Sequence, residues 1–279
     1  MTSSSPSGPS PSSPSSPAGD AALDEFRALN DPDRRRAIER RGEHFVVEGL
    51  LALRALVESR YPIRSVLVAE NKAAAALELV GRRAPIYAMP APDVAAITGF
   101  AFHRGVLASA DRLPPEPIEA VVTAQARRLL VIEGVNDHEN LGALFRNAAA
   151  FGVDGVVLDP TTADPLYRRS VRVSVGHVLR MPWARAGAER WPAVLAELRE
   201  AEGFCVVALT PAPDAEPIDE LAAAPPDRLA LVVGAEGPGL GLRALAAAGR
   251  QVRIPMAPGV DSLNVATTAA IALHRLHAY

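Results

Sequence analysis

Three stretches in the second half of this 279-residue chain hold side chains that could do chemistry. The first is Asn140-Leu141-Gly142-Ala143-Leu144-Phe145-Arg146. Arg146 carries a permanent charge on a planar fork of donors, suited to gripping a phosphate or steadying a developing oxyanion. In a helix Gly142 and Arg146, four apart, share a face, so the missing side chain leaves room beside the guanidinium. A glycine there costs roughly 1 kcal/mol relative to alanine, so something must gain from it. Two explanations stand even: space for a ligand contact, or a tight helix-to-strand packing contact with a surface arginine. Asn140 is placed to cap a helix that begins at Leu141.

The second stretch is Gly234-Ala235-Glu236-Gly237-Pro238-Gly239, directly after the apolar run Leu231-Val232-Val233. A strand ending in glycines lets a ligand approach the backbone, and Glu236 supplies its only charge. The overlapping Gly239-Leu240-Gly241-Leu242-Arg243-Ala244 matches a dinucleotide fingerprint. The helix it would open is too short for that fold, and no acidic residue ends a clear following strand. The third stretch runs from Ile254-Pro255 through a Pro/Gly loop to Ser262-Leu263-Asn264-Val265, where Ser262 or Asn264 caps an alanine-rich helix. Between the first two stretches lies Arg172-Val173-Ser174-Val175-Gly176, preceded by Arg168 and Arg169.

The elements that must position these residues alternate between apolar runs and helical stretches. Strands are expected near Leu129–Glu133, Gly155–Leu158, Phe204–Leu209, Leu229–Val233 and Val252–Ile254. Helices are expected near Leu141–Phe151, Trp191–Glu202 and Leu263–His277. Nearly all-apolar strands are buried on both faces, which predicts an α/β fold with a mostly parallel sheet and helices on both faces. Ligands of such sheets sit beyond the carboxyl ends of the strands, where the three stretches fall. A smaller α/β domain is expected over residues 23–112, opening with a charged helix from Asp24 to Arg41. Residues 113–126, with Pro114, Pro115 and Pro117, read as a linker to a domain spanning 127–279. Residues 1–22, almost all Ser, Pro and Gly, read as a disordered tail.

Composition narrows the classes. One cysteine, Cys205, excludes a disulfide framework or a thiolate-rich metal site, and no metal is expected. No apolar run reaches the length of a membrane span and the N-terminus lacks a secretory pattern, so the expected location is cytoplasmic. The net charge of −3 argues against a nucleic-acid partner in bulk, although Lys72 is the only lysine and the positive charge rests on phosphate-pairing arginines. That arginine bias is equally explained by coding composition.

Taken in order, the stretches resemble the SpoU family of RNA ribose 2′-O-methyltransferases. Asn140 and Arg146 match its first motif, Gly234, Glu236, Gly237 and Gly239 its second, and Ile254-Pro255 with Ser262 to Val265 its third. Arg172 to Gly176 is similar to the family's Arg-x-Ser-x-Gly segment. The resemblance implies a trefoil-knotted catalytic domain, S-adenosyl-L-methionine as methyl donor, and a homodimer whose site borrows an arginine from its partner. By the same resemblance Arg146, Asn140, Glu236, Ser262 and Asn264 are the catalytic set, and Gly234, Ile254, Leu263 and Thr210 contact the cofactor. The first domain resembles the L30e-like RNA-binding module of that family through Thr98-Gly99-Phe100 and His103 to Val106, with Arg104 where members commonly have glutamine. RNA is then the substrate, ribosomal RNA ahead of transfer RNA. The opposing classes are an RNA-binding or ribosome-assembly factor without catalysis, and a nicotinamide-dependent oxidoreductase.

Overall fold

The computed structural model describes residues 22–31, 43–101 and 104–276. The chain divides into two compact units, Met1–Leu113 and Pro114–Tyr279. In the first, β1 (His44–Glu48), α1 (Leu50–Val57), β2 (Ile63–Ala69), α2 (Ala73–Val80), β3 (Ile86–Met89), α3 (Ala91–Thr98) and β4 (Val106–Asp111) follow one another. They form a four-stranded sheet of order β1-β4-β2-β3, with β4 antiparallel to β1 and β2, and β3 parallel to β2. Its core gathers Phe26, Leu67, Val94 and Leu107.

Two expectations for the amino-terminal region meet limits. Of the expected Asp24–Arg41 helix, the described part is one helical turn at 22–24 followed by turns, with Leu23 and Phe26 buried in the core. Arg34, Arg35, Arg36, Arg40 and Arg41, the tail 1–21 and His103 lie outside the described residues.

The second unit runs α4 (Ile118–Val121), β5 (Arg128–Glu133), α5 (His138–Ala150), β6 (Gly155–Leu158), α6 (Arg168–Val173), α7 (His177–Arg180), β7 (Trp183–Arg185), α8 (Ala193–Glu200), β8 (Cys205–Leu209), β9 (Glu216–Pro217), α9 (Ile218–Ala223), β10 (Leu229–Gly234), α10 (Leu242–Ala247), β11 (Arg250–Arg253) and α11 (Val265–Arg275). Its seven strands, in the order β7-β6-β5-β10-β8-β11-β9, pair parallel throughout. Alternation explains the layering. Leu129 and Val131 of β5, Val206 and Ala208 of β8, and Ala230 and Val232 of β10 join a core with Val194, Leu195 and Leu198 of α8 and Ala244 of α10. Leu130, Ile132, Val207 and Leu231 point the other way and are equally buried, on the side where α11 packs on β10 and against α5. Each fully buried Leu, Ile or Val contributes on the order of 1.5–3 kcal/mol, and both faces draw on that.

The segment read as a linker is part of this core. Ile118, Val121, Val122 and Ala126 are buried against the strands, so the prolines of 114–117 lead into the unit rather than away from it. The start of α5 also differs from expectation. Asp137, not Asn140, is its N-cap, its carboxylate accepting from the backbone N–H of Glu139 and Asn140. Both residue types cap well, and the earlier one takes the role.

Gly142 is a packing residue. A Cβ there would lie 2.7 Å from the Ser170 carbonyl oxygen and 2.8 Å from Val173 Cβ, so the glycine lets α6, not a strand, press against α5. The space beside Arg146 is filled by that helix. The elbow from α6 to α7 closes with Gly176 N–H donating to Val171 O and Val175 N–H to Arg172 O. Val175 sits at φ 54° and Gly176 at φ 79°. For a β-branched residue the left-handed region is strained by about 1–2 kcal/mol.

Candidate active site at the ends of three parallel strands

Beyond the carboxyl ends of the adjacent strands β10, β8 and β11 opens a cleft of about 480 Å³. Thr210 closes β8, Gly234 ends β10 and Ile254 follows β11, so each strand delivers one of the predicted cofactor residues to the wall. Leu263, also predicted, lines the fourth side and stays 39% exposed, an apolar side chain at the mouth with no core to enter.

Gly234 is dictated by chain geometry. The loop after β10 folds back until Ala235 bridges Gly239, and a Cβ on Gly234 would stand 2.4 Å from the Gly239 carbonyl carbon. Gly237 and Gly239 take φ of 86° and 68°, the left-handed values that glycine adopts without strain. This fold-back lifts Glu236 to the rim.

Asn264 connects the rim residues. Its Oδ1 caps α11, accepting from Ala266 N–H at 3.0 Å and Thr267 N–H at 3.2 Å. Its Nδ2 donates to Asn140 Oδ1 at 2.8 Å and to Glu236 Oε1 at 2.7 Å. One amide thus ties the first, second and third stretches together. Asn147, two turns beyond Asn140 on α5, donates from Nδ2 to Ala266 O at 2.8 Å and holds the two helices side by side. Ser262 lines the cleft with Glu236 and Asn264. Of the predicted catalytic set, only Asn140 and Arg146 do not line it. Asn140 reaches it through Asn264, whereas Arg146 lies exposed on α5.

Further polar residues at strand ends were not singled out in the sequence. Asp159, directly after β6, is buried and accepts from Gly134 N–H at 3.0 Å, Thr162 N–H at 2.7 Å, and the Thr161 and Thr162 hydroxyls at 2.6 Å. Burial pushes its carboxyl upward, but the donated bonds outweigh it and hold the group below the usual aspartate value. Arg185 clamps the same turn through the carbonyls of Asp159, Thr162 and Ala163. Glu133, ending β5, accepts from Trp191 Nε1 at 3.0 Å and from Gly241 N–H at 2.8 Å, which anchors the far end of the glycine loop. A carboxylate straight after an apolar run was the available signal in both cases.

No cluster of metal-ligating side chains occurs among the described residues, and no described helix is long and apolar enough to cross a membrane.

Comparison with known proteins agrees with this geometry. Residues 127–274 match the family model described as the SpoU rRNA Methylase family. A protein named as an uncharacterized tRNA/rRNA methyltransferase of Mycobacterium tuberculosis is 47% identical over 257 residues, covering 91% of this chain and 88% of that one. A 23S rRNA (guanosine(2553)-2′-O)-methyltransferase of Bacillus subtilis is 35% identical over 153 residues, covering 55% of this chain and 59% of that one. Among solved structures, an AdoMet-bound rRNA methyltransferase from Sinorhizobium meliloti superposes with a TM-score of 0.74 at 25% identity, covering 91% of this chain and 93% of that one. With a matching family model over the strands, cleft and helices just described, and a relative of almost full length, this chain belongs to the SpoU rRNA methylase family.

Proposed function

We propose that the chain transfers a methyl group from S-adenosyl-L-methionine to a ribose 2′-hydroxyl of RNA, with ribosomal RNA as the substrate. The observation that carries this is the bridge from Asn264 to Asn140 and Glu236 at the edge of the strand-end cleft. The cleft suits the donor. Leu209, Val233, Val252, Ile254 and Leu263 offer apolar walls, Thr210 and the strand-end backbone offer polar contacts, and Glu236 would offer a carboxylate to a cationic donor. Such a donor brings an already activated methyl, so the protein needs to align it and to make the acceptor oxygen reactive.

The residues divide that work. Gly234, Ile254, Leu263 and Thr210 hold the donor, while Asn264 fixes Glu236 and Asn140 relative to it. Arg146, always protonated, fixes the neighbouring phosphate and steadies the developing oxyanion. Because Arg146 stands on the exposed side of α5 and outside the cleft, the reading includes a homodimer in which the partner's copy supplies the guanidinium. The ribose target draws on the Bacillus relative's 2′-O designation, and the substrate on the rRNA named for that relative and for the Sinorhizobium structure. Residues 23–112 would serve as an RNA-binding module.

Arg146→Ala should keep donor affinity within about twofold while transfer falls at least ~100-fold, the usual size for removing an oxyanion stabiliser. Calorimetry with S-adenosyl-L-methionine and tritiated-methyl incorporation into protein-free ribosomal RNA, followed by nuclease digestion to identify 2′-O-methyl nucleotides, measure both. Unchanged turnover would remove Arg146 from the mechanism, and methylated bases in place of riboses would overturn the target.

A further inference from the structure

Residues 165–185 contain five arginines, Arg168, Arg169, Arg172, Arg180 and Arg185, one histidine, His177, and no acidic residue, in a chain of net charge −3. Arg185 is occupied with the Asp159 turn, and Arg169 lies 3.5 Å from Glu139 of α5. Arg180 reaches back within its own short helix, its Nη2 standing 3.4 Å from His177 Nδ1. α7 packs against both α5 and α6, which sets His177 near Arg146.

A guanidinium can only donate, so its approach to Nδ1 leaves that nitrogen as the acceptor and the proton of the neutral ring on Nε2. Arg146, Arg180 and His177 therefore present donors only. A cluster of donors on an exposed basic face fits a singly charged oxyanion of a polynucleotide backbone.

We propose that His177, flanked by Arg180 and Arg146, forms a phosphodiester subsite in which the imidazole takes up a proton when an RNA strand binds. The proposal rests on the reading of RNA as substrate and adds to it a proton-linked grip. Without RNA the imidazole is held below its ordinary value, by burial first and then by the charges of Arg180 and Arg146. Of the elements packed on α7, α6 carries Arg168, Arg169 and Arg172, and α5 carries Arg146 and Glu139, the latter 3.5 Å from Arg169. A phosphate that draws Arg180 away from Nδ1 offsets the repulsion of the guanidinium groups and accepts from the N–H formed when Nδ1 takes up the proton, so the bound-state value rises. Binding then consumes a proton between the two values. Affinity therefore rises as pH falls from 8 toward 6, and levels off below the free-state value.

The test uses the full chain, fluorescein-labelled dodecauridylate and anisotropy at fixed low salt between pH 6 and 8. Proton uptake is read by calorimetry in buffers of different ionisation enthalpy. Wild type should bind about tenfold more tightly at pH 6 than at pH 8, the limit for one proton being tenfold per pH unit. His177→Gln should bind like wild type at pH 8, within about twofold, and show little pH dependence or proton uptake. Arg180→Gln should weaken binding at both pH values and reduce the salt slope by about one. His177→Asn serves as the second variant, and retained thermal shift with S-adenosyl-L-methionine confirms that each is folded. If His177→Gln and His177→Asn keep the full pH dependence, the proposal falls while ribose methylation stands. If wild-type protein binds no RNA at low salt, both readings fall together.

Discussion

The most discriminating perturbation is at Asn264, because one side chain performs two separable jobs. Its Oδ1 caps α11 and its Nδ2 bridges Asn140 and Glu236. Asn264→Ser keeps a capping oxygen and removes the bridging amide, whereas Asn264→Ala removes both. Loss of the cap costs about 1 kcal/mol, and loss of the exposed bridge bonds adds up to about as much again. For a domain of this size each kcal/mol shifts Tm by roughly 2–4 °C. Alanine should therefore lower Tm by about 2–8 °C and serine by no more than about 4 °C. Both should lose methyl transfer by a similar factor, on the order of 100-fold, since the bridge is absent from both. Calorimetric melting of each variant alongside tritiated-methyl incorporation separates the jobs. Full turnover in the serine variant would refute the bridge as the organiser of the site, and equal melting of the two variants would refute the cap.

Gly142→Ala introduces a Cβ 2.7 Å from a backbone oxygen of α6, so it should destabilise by about 1–3 kcal/mol despite alanine's better helix propensity, read by urea denaturation. The depressed carboxyl of Asp159 stabilises the folded state at pH values above the usual aspartate pKa, and that contribution is lost as pH falls through the lower folded value. Asp159→Asn should therefore lose stability at pH 7 and approach wild type as pH falls below the carboxyl's lowered folded-state value, measured by chemical denaturation from neutral to acid pH.

Much of the catalytic unit could be read from the chain because its strands are near-continuous apolar runs and its long helices are clearly periodic. The departures have local causes. Asp137 and Asn140 are both good caps three residues apart, and only the chain's path between β5 and α5 decides between them. Residues 114–126 look like a linker from their prolines, yet Ile118, Val121 and Val122 are spaced to bury one face, a signal too short to stand out. The region 168–185 is interrupted by arginines and a glycine, which conceals α6, α7 and the edge strand β7. Of the site, the glycines and strand-end positions were legible, since backbone constraints leave a mark on residue type. The convergence of Asn140, Glu236 and Asn264 was not, because a hydrogen bond across 124 positions leaves no periodic trace.

The elbow between α6 and α7 has a mechanical consequence. A valine and a glycine in succession take the left-handed conformation there, and Ser174 just before them is completely buried with its hydroxyl bonded to Val171 O. A valine tolerates that conformation only when its surroundings leave no alternative, so the joint has no slack to serve as a hinge. The guanidinium groups of α6 and the imidazole of α7 are consequently spaced like teeth on a rigid comb, and in the proposed phosphodiester subsite the partner that adjusts its shape is the nucleic-acid strand.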